Sequence, residues 1–171
     1  FVELLRRERL VVGRLDSRFT GPVGNAVAEK LEDDPCMDAM AGPYAAAWNH
    51  YVRAELGYEN DLPYEQLSMK ASEEWSFKEF EGRPVDVSDK LARAMRANPH
   101  LKVHVAYGYL DGATPYYAAQ ETFAQLDVPA ELLANIDHAY YPAGHMMYVH
   151  EPSRVQQSKY HCAFILGAAA Q

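Results

Sequence analysis

The sequence predicts an α/β fold in which parallel strands are flanked by helices and preceded by a helical segment. Two observations carry that reading. Residues 100–166 alternate strand-like and helix-like stretches at the lengths of crossover units, which demand a parallel sheet. Residues 1–98 carry mostly helical signals broken by turns, so the character of the chain changes near residue 98. A chain of 171 residues that is 49% hydrophobic and 23% charged is long and apolar enough for a real core.

In the first region, the stretch 4–10 (LLRRERL) mixes cations with Glu3 and Glu8 nearby and reads as a solvated helix face. Residues 13–24 (GRLDSRFTGPVG) are rich in turn formers and read as a loop, in which Arg14, Asp16 and Arg18 suggest a buried ion pair. Residues 34–58 give the clearest helix, with Ala45, Ala46, Ala47, Trp48, Tyr51, Val52 and Leu56 near helical spacing and Gly57 as its stop. Residues 86–99 read as another helix, capped by Asp86 or Ser88 and ended by Pro99.

The second region opens on a strand over 100–110, where Leu101, Val103, Val105 and Tyr107 alternate with polar or small residues. A helix follows over 114–126, with Thr114 at the N-cap and Pro115 in the first turn. Residues 136–143 form a second strand and residues 151–166 a final helix, with Val155, Tyr160, Ala163 and Phe164 as its apolar stripe. A short GAAAQ tail closes the chain.

Charge and composition exclude some functions. Lys and Arg number 16 against 24 Asp and Glu, a net charge of −8, which argues against nucleic-acid partners and anionic membrane surfaces. No apolar run approaches the ~20 residues of a membrane-spanning helix. Cys36 and Cys162 lie far apart with no metal or redox spacing; a disulfide is open to them, but two buried free thiols is the preferred reading. The stretch HLKVH offers His100 and His104 at i, i+4, but on a strand they stand ~13 Å apart at about 3.3 Å per residue, too far for one ion. No metal site is expected.

Parallel sheets place their chemistry at the carboxyl ends of the strands. Asp111 stands just past the end of the first strand, in YGYLDGATP, and His145 just past the second, in YYPAGHMMY. An acid followed by a base, each after a strand, is the second half of the Ser…Asp…His order of α/β-hydrolases. An imidazole can take a proton from a serine and return it to the leaving group while the carboxylate holds its tautomer. The simpler alternatives are an Asp-Gly turn that caps the next helix and a loop histidine without chemical role. Tyr109 and Tyr116 flank Asp111 and are the best candidates for substrate walls, although tyrosines beside strands are commonly core fillers.

At these residues the sequence resembles the bacterial branch of the serine carboxypeptidase family. The matching stretches are 12–22 (VGRLDSRFTGP), 42–58 (GPYAAAWNHYVRAELGY), 98–123 (NPHLKVHVAYGYLDGATPYYAAQETF) and 139–150 (AYYPAGHMMYVH), in the family's order. The resemblance implies the C-terminal part of an α/β-hydrolase fold: a helical cap segment and its connection to the core over 1–98, and core strands and helices over 99–171. It implies that Asp111 is the triad acid, that His145 is the base, and that Met146 helps line the pocket for the released residue. It implies peptide as substrate, no cofactor, and a secreted or periplasmic location. Pro142 replaces a more usual acidic residue in the loop before His145.

The family's nucleophile occupies a Gly-Glu-Ser-Tyr-Gly elbow upstream of everything in this sequence. Ser17, Ser68, Ser72, Ser76, Ser88, Ser153 and Ser158 all lack a Gly-x-Ser-x-Gly context. The chain is therefore expected to be inactive alone, either a fragment or the small subunit of a processed enzyme, with the nucleophile-bearing segment as its partner. Two other readings stand beside hydrolysis: acyl transfer on the same triad, and a non-catalytic binding protein on a hydrolase scaffold.

Overall fold

Residues 1–25, 27, 29–31 and 33–170 are described by the computed structural model. A 3₁₀ turn at Arg6–Glu8 leads into strand β1 (Leu10–Val12), which pairs antiparallel with β2 (Thr20–Pro22). The 13–24 stretch is thus mostly loop, with β2 taking its Thr20–Pro22 portion. β2 is three residues of Thr, Gly and Pro, a composition that reads as turn and is tolerated in a strand only at a sheet edge.

Helix α1 (Pro35–His50) starts on Asp34, whose carboxylate accepts the Cys36 N–H at 2.9 Å, with Pro35 in the first helical position. It continues as a π-helical turn over Tyr51–Glu55 and ends before Gly57, whose φ of +64° only glycine adopts without strain. Helix α2 (Met69–Glu74) begins on the Ser68 hydroxyl, and a 3₁₀ turn follows at Lys78–Phe80. Helix α3 (Ser88–Ala97) follows Val87 at the N-cap, with the Asp86 carboxylate accepting the Ser88 N–H at 2.8 Å.

Strand β3 (Val103–Gly108), helix α4 (Tyr116–Ala124), the short helix α5 (Ala130–Leu133), strand β4 (Ile136–Tyr141) and helix α6 (Glu151–Ala169) complete the order. The N-cap of α4 is Pro115, one residue later than the sequence suggests; the Thr114 hydroxyl is engaged elsewhere, as described below. Helix α5 is too short to show a period in sequence. Gly167–Ala169 of the tail extend α6, and Gln171 lies outside the described residues. No described helix is long and apolar enough to cross a membrane.

β3 and β4 are parallel and in register from Val103↔Ile136 to Gly108↔Tyr141, so both strands end at the same level. Their amino ends rest on a core of Ala92, Met95 and Leu126 with Leu101, Val103 and Ile136 around it. Their carboxyl ends rest on a second core of Ala139, Tyr141 and Ala143. The architecture is mixed α/β, with one antiparallel pair and one parallel pair.

Both thiols are free, but only Cys36 is buried; Cys162 is exposed on α6, because that helix shows much of its circumference to solvent. Burial, reinforced by the charges of Asp16 and Asp34, pushes the Cys36 thiol up to about 11, so at pH 8 about one part in a thousand is thiolate. Iodoacetamide is expected to alkylate Cys162 in the native protein and Cys36 only after denaturation. Prompt stoichiometric labelling of both, counted by intact mass, would contradict this packing.

Candidate active site

The flush ends of β3 and β4 set the geometry. Asp111 follows Gly108 by three residues, and His145 follows Tyr141 by four. The ladder runs on past the strands, with Tyr109 N–H donating to the Tyr141 carbonyl and Leu110 N–H to the Ala143 carbonyl, both at 3.0 Å. The two turns therefore leave the sheet side by side, and His145 Nδ1 lies 2.9 Å from Asp111 Oδ2.

The Asp111 side chain is 6% exposed and fully engaged. Its Oδ1 accepts the N–H groups of Ala113 at 2.8 Å and Thr114 at 2.9 Å. Its Oδ2 accepts the Thr114 hydroxyl at 2.7 Å and the imidazole. Burial pushes the carboxyl up, but hydrogen bonds from Thr114, His145 and the Ala113 backbone outweigh it, and the group sits below the usual carboxylate range. An ionised carboxylate only accepts, so Nδ1 of His145 carries the proton. The Thr114 hydroxyl spends its proton on Asp111 and lies 3.1 Å from Nδ1 as a second acceptor. This leaves Nε2 as the basic nitrogen, on the side of the ring away from the acid.

His145 is 43% exposed at its side chain and borders a cavity of ≈ 610 Å³. Met146 borders it too, beside Tyr148. The opposite wall is α1, through Met37, Met40, Ala41, Tyr44 and Trp48. That i, i+3, i+4, i+7, i+11 row is one helix face, and its spacing is the signal that reveals the wall in sequence. Flexible methionines beside rigid rings suit a wall that adapts to an apolar occupant. Polar groups at the rim include Arg14, Asp34 and Gln66.

Tyr109 and Tyr116 stand elsewhere. Their rings meet edge to face at 5.4 Å and both pack on Tyr140, in a ring cluster outside the cavity wall. One residue and one loop that the sequence left without a site role do touch it. Thr114 bridges acid and base, and the loop containing Asp16 and Arg18 presses on both turns: Leu15 O accepts the His145 N–H at 2.7 Å and Arg14 O accepts the Gly112 N–H at 2.9 Å.

Two other polar arrangements are less suited to catalysis. His104 Nδ1 meets Asp137 Oδ2 at 2.6 Å, but its Nε2 is buried beneath α6, where Tyr160, His161 and Phe164 pack on the ring. Ser153 Oγ meets His150 Nδ1 at 2.8 Å, yet the serine is 1% exposed in the first turn of α6 and has no access to a substrate. Among the described residues, no group of three or more His, Cys, Asp or Glu side chains is arranged to hold a metal ion. Comparison of the chain with family models, with curated proteins and with solved structures found no match.

Proposed function

We propose that this chain supplies the acid and base of a serine carboxypeptidase of α/β-hydrolase type, and that the serine resides on a segment outside these 171 residues. The observation that carries the reading is the Asp111–His145 pair: acid before base in the chain, each just past one of two flush parallel strands, with Nδ1 held and Nε2 directed away from the acid. An imidazole held this way accepts the proton of a serine hydroxyl as its oxygen attacks a peptide carbonyl. It returns that proton to the departing amine, and the same cycle with water frees the acyl group. Asp111 stabilises the transient imidazolium and stays ionised, as its lowered proton affinity requires. The apolar wall from Met37 to Trp48, with Met146, suits a peptide with a large apolar side chain beside the scissile bond. Export from the cytoplasm belongs to the same proposal.

Labelling of the native full-length protein with a fluorophosphonate, followed by peptide mapping, tests it. The modified serine is expected outside residues 1–171, and the protein is expected to release C-terminal residues from apolar peptides. A label on any of the seven serines within the chain, or no labelled serine, would overturn the reading.

A further inference from the structure

Asp16 is 3% exposed and belongs to no element of the sheet that carries the acid and base. Burying a carboxylate is costly unless its lone pairs are all answered. Here they are. Oδ1 accepts the Arg18 N–H at 3.0 Å and Nε–H at 2.9 Å; Oδ2 accepts Arg18 Nη2 at 2.5 Å and the Gly144 N–H at 3.1 Å. The guanidinium then reaches further, with Nη1 donating to the Pro142 carbonyl at 3.3 Å. The ion pair thus holds both ends of the Pro142–Gly144 turn immediately before His145.

The main chain of the same loop completes the grip. Leu15 O takes the N–H of His145 itself. On the other side Ser17 N–H donates to Leu110 O at 3.1 Å, and Arg14 O accepts from Gly112, the two neighbours of Asp111. The loop is in turn anchored to α1, because Asp34 Oδ2 accepts the N–H groups of Arg14 and Leu15, each at 3.0 Å. No side chain of the loop touches the imidazole or the Asp111 carboxylate in these bonds. It acts on their backbones.

We propose that Asp16 and Arg18 are positioning residues: their ion pair pins the base turn to a loop whose main chain holds the acid turn, and so sets the His145–Asp111 hydrogen bond. A planar fork that binds both carboxylate oxygens and still reaches a carbonyl is a task for arginine, since an ammonium offers only a point charge. A displacement of about 1 Å in the base is enough to cost 10²-fold in rate. The role in catalysis rests on the hydrolase reading above; the clamp itself does not.

The test uses Arg18→Lys and Asp16→Asn in the full-length protein, with folding checked by thermal denaturation. The first readout is the downfield proton resonance of His145 Nδ1–H, assigned by its loss in His145→Ala. The second is kcat and KM on an apolar peptide. Arg18→Lys is expected to weaken or move the resonance and to lower kcat about 10- to 100-fold with KM within about threefold. Asp16→Asn should do the same more severely. If it fails to fold, Arg18→Lys decides, since the Arg18 side chain is 36% exposed and its loss is better tolerated. A folded Arg18→Lys protein with the wild-type resonance and kcat within about twofold would overturn the clamp. A wild-type protein that shows the resonance but no hydrolysis would overturn the hydrolase reading instead, and the clamp would be judged on the resonance alone.

Discussion

His145→Ala in the full-length protein is expected to lower kcat on the order of 10⁴-fold or more while leaving KM within a few-fold. In the proposed mechanism the imidazole removes and returns a proton only as the reaction proceeds, so its loss raises the barrier without weakening ground-state binding. Asp111→Asn should cost a similar amount. An amide at that position offers the Thr114 hydroxyl and the backbone N–H groups a poorer acceptor, and it no longer fixes the proton on Nδ1. In that mechanism acid and base act as one unit, and the double variant should be little slower than either single one. Steady-state kinetics on one peptide, with thermal midpoints to show that each variant is folded, checks all three. A loss of less than tenfold for His145→Ala would remove the imidazole from the chemistry, whatever its distance from Asp111.

How far this site could be read in advance depended on the range of the interactions involved. Strands β3 and β4 were legible because Val103, Val105 and Tyr107 alternate, and because two strands separated by helix signals must run parallel. From that alone Asp111 and His145 fall on one rim, and their 2.9 Å approach follows from the flush register. The α/β reading holds at that coarse level; the hydrolase fold stays part of the proposal. Thr114 was misread for a physical reason. Thr-Pro is a sound helix-start signal, but the hydroxyl is drawn to Asp111, and Pro115 is left to begin α4. The Asp16–Arg18 loop looked like an ion pair without purpose because its partners Pro142 and Gly144 lie 124 and 128 residues away. Tyr109 and Tyr116 were placed near the acid by sequence proximity, whereas their rings pack on each other and on Tyr140.

Gly108→Ala is the second substitution with a large expected effect, and it probes the same convergence from the sheet side. Gly108 is the last residue of β3, opposite Tyr141. A Cβ there would lie 2.5 Å from the Ala143 carbonyl oxygen and closer still to that of Gly144. Relief by moving the Ala143–His145 turn is opposed on three sides. Leu110 N–H holds the Ala143 carbonyl, Asp16 holds the Gly144 N–H, and Leu15 O holds the His145 N–H. The obstacle is backbone, which has no rotamer to offer. A cost of about 3 kcal/mol is expected, the upper end of what one extra methyl provokes in a packed interior. The folded fraction should also turn over about 10²-fold more slowly, because the turn that yields carries the base. Gly167→Ala is the matched control: a Cβ there meets nothing within 4 Å, and alanine inside α6 should stabilise by up to about 1 kcal/mol with kcat unchanged. Chemical denaturation and single-peptide kinetics on the two variants separate strain at the rim from a general intolerance of added volume. If Gly108→Ala matched wild type in midpoint and kcat, the close approach of β3 to the base turn would be refuted, and with it the route by which this sheet brings acid and base together.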